Sequence, residues 1–257
     1  AVVGILASAK DVGIYNTAAR TGFLPALVLV GFSGIFNPVI SSLYSRGLLE
    51  DLGALYQDVC RWTFTGSLAL VLPVMLLAKD VMAVFGPEFV AGWPVIVLIS
   101  AAQLFSSSVG PTNRVLAMTG NQRMFLLFIL CSTVVSLTGS VVLVPPYGAL
   151  GAAVATATGV VLFNVASVLL VRRLLSVWPY NRQYLKPIVS GGLAAAGMML
   201  VRSVLPLPQG ALAVLLLGTL FLLGFTASML ALGLNATDRL FLKSVWAAIA
   251  RAGPRNA

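Results

Sequence analysis

Asn16 and Arg20 stand four residues apart inside a long apolar stretch, a spacing that puts an amide and a guanidinium on one helix face. Such a pair suits an anion, because the guanidinium carries a fixed charge and a fork of donors, and the amide adds more. A second polar group follows much later: Gln103, Ser106-Ser107-Ser108, then Gly110-Pro111-Thr112-Asn113-Arg114. These side chains bind through hydrogen bonds and charge. Covalent chemistry has no candidates. The chain has no histidine, and its apolar stretches hold neither a carboxylate pair nor a nucleophile beside a base. No cluster has metal-ligand spacing, so neither a metal nor a cofactor is expected. Residues of this kind suit a protein that binds and moves something, not an enzyme.

The elements that position them are set by composition. Of 257 residues, 59% are apolar and 9% charged, and the mean hydropathy is +1.01. A soluble domain carries about 25% charged residues, so this chain must turn apolar surface toward lipid. The apolar material falls into blocks of the roughly 20 residues needed to cross a hydrocarbon core. Seven spans are expected: Gly13–Tyr44, Trp62–Ala78, Gly92–Ala117, Phe125–Val144, Leu150–Val171, Pro187–Leu205 and Ala211–Leu234. They lack period-2 alternation, which favours helices over a membrane barrel. The fold class is all-α and polytopic. All seven carboxylates (Asp11, Glu50, Asp51, Asp58, Asp80, Glu88, Asp238) lie outside the spans, as expected from their cost at membrane depth.

Alternating the connections between two sides tests this count. One side receives Arg46, Arg61, Arg114, Arg123, Arg172, Arg173, Arg182, Lys186, Arg239, Lys243, Arg251 and Arg255; the other receives only Lys10, Lys79 and Arg202. The asymmetry makes the first side cytoplasmic, with the C-terminus inside. It also explains the net charge of +9 without nucleic acid, which is not expected as a partner. Seven spans then place residue 1 outside. Residues 1–10 read as the end of a preceding membrane helix and an outer turn, so the chain is expected to be the C-terminal part of a longer protein; a cleaved signal is the alternative.

Within this plan 11–186 form a five-span core, 187–234 two final spans, and 235–257 an amphipathic cytoplasmic tail. Leu49, Leu52, Tyr56 and Val59 oppose Glu50, Asp51, Gln57 and Asp58, which predicts a short amphipathic helix over 48–61 on the cytoplasmic face. Asn37-Pro38 is expected to break the first span near its inner end, and Pro111 to kink the third. Phe85-Gly86-Pro87-Glu88-Phe89, Pro145-Pro146-Tyr147-Gly148 and Pro206-Leu207-Pro208-Gln209-Gly210 read as outer turns. The fifth span opens with small residues, Gly148 to Gly159, suited to close helix packing. Arg20 either faces a protein cavity or snorkels outward, and Arg114, near the cytoplasmic end, snorkels by default. The polar stretch of the third span either lines a pathway or is a structural kink. Cys60 and Cys131 suggest no disulfide framework.

Val12-Gly13-Ile14-Tyr15-Asn16-Thr17-Ala18-Ala19-Arg20, Pro38-Val39-Ile40-Ser41, Leu72-Pro73 and Val84-Phe85-Gly86-Pro87-Glu88-Phe89 follow one another in a recognisable order. So do Leu116-Ala117-Met118-Thr119-Gly120-Asn121 and Val144-Pro145-Pro146-Tyr147-Gly148-Ala149-Leu150-Gly151-Ala152-Ala153-Val154-Ala155-Thr156. Over roughly residues 1 to 190 the sequence resembles the oligosaccharide and polysaccharide flippases of the multidrug/oligosaccharidyl-lipid/polysaccharide exporter superfamily. The resemblance implies the C-terminal bundle of a fourteen-span, two-lobe transporter whose N-terminal half is missing here. It also implies a polyprenyl-pyrophosphate-linked sugar as substrate, flipped across a bacterial inner membrane by alternating access. Arg20 matches a cavity arginine of the lipid II flippases; Asn16, Gln103, Asn113 and Arg114 join it as candidate substrate contacts. Membrane lipids, and a polysaccharide polymerase or ligase, are the other partners implied. The alternatives are a lipid II flippase, a cation-coupled multidrug antiporter of the same superfamily and, in a different class, a membrane ligase or polymerase. The antiporter would be expected to use membrane carboxylates, which these spans lack, and the ligase a large outer loop.

Overall fold

The computed structural model of the protein describes residues 9–176, 178–205 and 210–233; the first residues and the tail expected at 235–257 lie outside them. Every regular element among the described residues is helical: α1 (Ala9–Gly22), α2 (Ala26–Ser45), α3 (Leu49–Leu76), α4 (Ala78–Ala83), α5 (Trp93–Val109), α6 (Thr112–Met118), α7 (Gln122–Leu175), α8 (Leu185–Val204) and α9 (Ala211–Ala231), with 3-10 turns at Pro87–Gly92 and Arg182–Tyr184. Among the described residues, five helical stretches are long and apolar enough to cross a membrane. One of them, α7, reverses at Gly148 (φ 54°, ψ −132°), which divides it into two arms, each of membrane-spanning length. The first expected span, Gly13–Tyr44, is divided between α1 and α2.

The first span corrects one expectation. It does not break at Asn37-Pro38, since α2 runs through Pro38. The break falls at Phe23-Leu24-Pro25, where the Phe23 amide still donates to the Ala19 carbonyl at 2.9 Å but Pro25 has no N–H to offer. Proline also biases Leu24 away from helical geometry. Neighbouring helices let a membrane helix carry a proline such as Pro38 without breaking.

The amphipathic segment 48–61 is helical as expected, but it is the start of α3 and not a separate surface element. At 28 residues α3 is about 42 Å long, more than a hydrocarbon core requires. Its apolar stripe of Leu52, Tyr56, Val59 and Cys60 is buried inside the protein and does not lie on lipid.

The expected kink before Pro111 is present and takes the form of a full break. Gly110 adopts φ 69°, ψ −155°, and separates α5 from α6. Breaking the ladder leaves the Ser108 and Val109 carbonyls without a backbone partner and Ser107 O with one weak bond, from the Gly110 amide at 3.3 Å. Thr63 Oγ1 donates to Ser107 O at 2.9 Å, Tyr184 Oη to Ser108 O at 2.8 Å, and Tyr56 Oη to Val109 O at 2.9 Å. Cys60 Sγ adds a contact to Val109 O at 3.1 Å. The donors come from α3 and the turn before α8, so this junction ties three parts of the bundle together.

Contacts between elements define two ends. Asp11 lies against the Gly148 turn, and Phe89 against Gly13; at the opposite end, Gln57 Nε2 donates to Trp178 O at 2.8 Å. Lys10 adjoins Asp11 at the first of these ends, and Arg172 lies over the Trp178 ring at the second. Leu126, Leu130, Val134, Val141, Leu212, Leu216 and Leu223 leave an apolar outer belt. Such a belt on a soluble protein would be an aggregation surface; here it matches a bilayer.

At the Gly148 end, Asp80 of α4 is buried at 1% exposure and ion-paired with Arg202 near the end of α8. The pair pins the last two helices to the bundle. Removing one partner of a buried pair strands the other's charge. Arg202→Ala is expected to cost about 2 kcal/mol, a figure reduced because the arginine itself is 31% exposed. Asp80→Asn, which strands the more solvated partner, should cost less. Thermal unfolding in detergent of the two variants side by side checks the order.

Candidate functional site

The larger polar cavity, about 470 Å³, lies between α5, the start of α6 and both arms of α7. The break at Gly110 is what admits α6: it redirects the chain so that Asn113 joins Gln103 and Ser106 along the wall. Across from them, Ser132, Thr133 and Ser136 come from the first arm of α7, and Thr156, Gly159 and Asn164 from the second. The two arms press together through small residues, with Gly139 beside Ala155 and Gly159 beside Ser136. Phe125 and Phe163 meet edge to face at 6.0 Å and close one part of the wall.

Some lining groups are already committed. Ser106 Oγ donates to Asn164 Oδ1 at 3.3 Å, and Asn164 Nδ2 to Val160 O at 2.8 Å, fixing that amide. Asn113 Oδ1 accepts from the Arg114 amide at 2.8 Å, which leaves its NH₂ uncommitted. Thr156 Oγ1 bonds the Tyr15 hydroxyl at 3.0 Å. Gln103 is different: only 7% exposed, it lines the cavity and makes no hydrogen bond among the described residues. No charged side chain among the described residues lines this cavity.

The second cavity, about 370 Å³, is cationic. Asn16, Thr17 and Arg20 of α1 face Phe85 and Phe89 of the turn that follows α4. Asn16 and Arg20 share a face as their spacing predicts, while Ile14, Ala18 and Ala19 are buried on the other side of the helix. Arg20 has no ion pair among the described residues, in contrast to Arg61, paired with Asp58 at 3.1 Å, and Arg202. An unpaired cation bordering a cavity is electrostatically poised for an anion.

The five sequence candidates therefore divide. Gln103 and Asn113 meet in the neutral cavity, Asn16 and Arg20 in the cationic one, and Arg114 is exposed and lines neither. Sequence reasoning did not single out Ser132, Thr133, Ser136 or Thr156. Their signal is a hydroxyl pair at i, i+4 (Ser132, Ser136) and the small face from Thr156 to Gly159, which meet only once the hairpin folds.

No protein-family model matches the chain. Among curated proteins it is similar to the probable low-salt glycan biosynthesis flippase Agl15 of Haloferax volcanii, 26% identical over 162 residues, 61% of this chain and 34% of that protein. Among solved structures it is similar to the lipid II flippase MurJ in an inward closed conformation, with a TM-score of 0.63 and 15% identity. That likeness covers 84% of this chain and 46% of the flippase. The chain thus spans about a third to a half of the length of the proteins it matches. By sequence it is similar to a curated glycan-biosynthesis flippase, and by fold to the lipid II flippase.

Proposed function

We propose that this chain is the C-terminal bundle of a flippase that carries polyprenyl-pyrophosphate-linked oligosaccharide or polysaccharide repeat units across a bacterial inner membrane. The observation that carries the reading is Arg20, a cation with no ion pair among the described residues, beside Asn16 in a cavity of a flippase-like fold. Pyrophosphate is held through charge-assisted hydrogen bonds from guanidinium and amide. The lipid tail stays in the bilayer, and the two lobes alternate access to either leaflet. No covalent bond is made or broken, so the activity is transport. The basic end of the bundle, with Arg46, Arg61, Arg114 and Arg172, faces the cytoplasm, and so does the C-terminus. The missing N-terminal lobe supplies the facing cavity wall, and a polymerase or ligase consumes the flipped product.

The test is complementation of a bacterial strain lacking its own repeat-unit flippase, scored by surface polysaccharide and by accumulation of lipid-linked intermediates. The full-length wild type should restore surface polysaccharide. Arg20→Ala should reduce export about tenfold, the scale of one charge-assisted contact of about 1.4 kcal/mol, at unchanged membrane insertion. Wild-type export by Arg20→Ala would remove the arginine from the mechanism.

A further inference from the structure

The cationic cavity borders α1, and the same helix touches the wall of the neutral one. Tyr15, next to Asn16 in the chain, bonds Thr156 in the wall of the neutral cavity at 3.0 Å. A single substrate with an anionic part and a hydroxyl-rich part therefore finds two chemically distinct surfaces beside one helix. We infer that the neutral cavity between α5 and the α7 hairpin is a subsite for an uncharged sugar of the lipid-linked substrate, with Gln103 as its principal polar contact. The inference rests on the flippase reading and adds a preference for neutral over acidic sugars.

Three observations carry it. Gln103 is more than nine-tenths buried, borders the cavity and makes no hydrogen bond among the described residues. Its amide atoms are not sealed off in the packing, so they reach the cavity and can bond what enters it. Its amide offers two donors and an acceptor, the complement of a vicinal diol or an acetamido group. The Thr133 and Ser136 hydroxyls and the Asn113 NH₂ add donors and acceptors around it, and Phe125 and Phe163 add an apolar surface for the C–H face of a pyranose. At about 470 Å³ the cavity falls within the range of roughly 300–1,000 Å³ usual for small-molecule sites.

The third observation is the absence of charge from the lining among the described residues. A sugar carboxylate placed there would give up part of its water without gaining a counter-charge, which disfavours it against a neutral sugar. A neutral sugar gives up only hydrogen bonds that Gln103 and its neighbours replace. The cavity thus discriminates by what it lacks as well as by what it offers.

Binding to the purified full-length protein separates the two cavities. The probes are polyprenyl pyrophosphate bearing one N-acetylglucosamine and the same lipid without sugar, titrated against wild type, Gln103→Leu, Thr133→Val and Arg20→Ala. Gln103→Leu should weaken the sugar-bearing lipid about tenfold, as expected for losing two neutral hydrogen bonds, and leave the bare lipid within about twofold by the same arithmetic. Thr133→Val, at an exposed position of α7 that is safe for folding, should shift the same ratio in the same direction by a smaller factor. Arg20→Ala should weaken both lipids alike. An unchanged ratio in both Gln103→Leu and Thr133→Val overturns the sugar subsite and leaves the flippase reading standing. Wild-type protein that binds neither lipid overturns that reading, and the subsite with it.

Discussion

Gly110→Ala is expected to destabilise the bundle by about 4 kcal/mol and to leave little folded protein after extraction into detergent. Two independent costs add. At φ 69° and ψ −155° the backbone sits in a region open in practice only to glycine, a strain of about 1–3 kcal/mol for any other residue. A Cβ there would also overlap the Cys60 sulfur and lie 3.0 Å from the Cys60 Cα, so relief requires moving the α3 backbone. Overpacking of that kind costs about 1–3 kcal/mol. Gly120 is the control, with φ 79° and nothing within 4 Å of the same atom, so Gly120→Ala bears the conformational cost alone. Fluorescence-detected size exclusion after a temperature ramp compares the two. Equal losses would mean that α5 and α3 do not meet as closely as described.

Gly151→Ala carries the second large effect, about 3 kcal/mol, through contact alone. A Cβ at this position would overlap the Leu143 carbonyl oxygen, lie 2.5 Å from its carbon and 3.0 Å from the Val144 amide. All three are backbone atoms of the opposing arm of α7, so no side-chain rotation relieves them. The arms would have to part next to the Gly148 turn, and the small-residue contacts below it would loosen. Gly192→Ala and Gly197→Ala, in α8 with nothing within 4 Å, should be neutral or stabilising by up to about 1 kcal/mol, since alanine is the better helix former. Thermal unfolding that ranks Gly151→Ala with Gly192→Ala would count against the hairpin as described.

Much of this architecture is written in the one-dimensional pattern. Apolar blocks located the spans, Pro145 to Gly148 marked the reversal of α7, and Gly110-Pro111 marked the break in the third span, because each depends on local backbone chemistry. The misplaced break of the first span shows where locality fails. Pro25 and Pro38 offer the same defect, and which one bends the chain is settled by neighbouring helices. The candidate site follows the same division. The shared face of Asn16 and Arg20 follows from helical period, whereas the partnership of Gln103 with Thr133 and Ser136 depends on which helix faces meet, and one sequence does not state that. The pairing of Asp80 with Arg202 is illegible for the same reason: the two stand 122 positions apart in the chain.

The side-chain bonds gathered on the carbonyls at the Gly110 break have a mechanical consequence. Bending at this corner would break the bonds from Thr63, Tyr184 and Tyr56 together, in surroundings where water does not replace them. A proline-glycine break that looks like a hinge is therefore a brace. Any rearrangement of this bundle must turn α3, α5 and the base of α8 as one lever, with the flexing displaced to other elements.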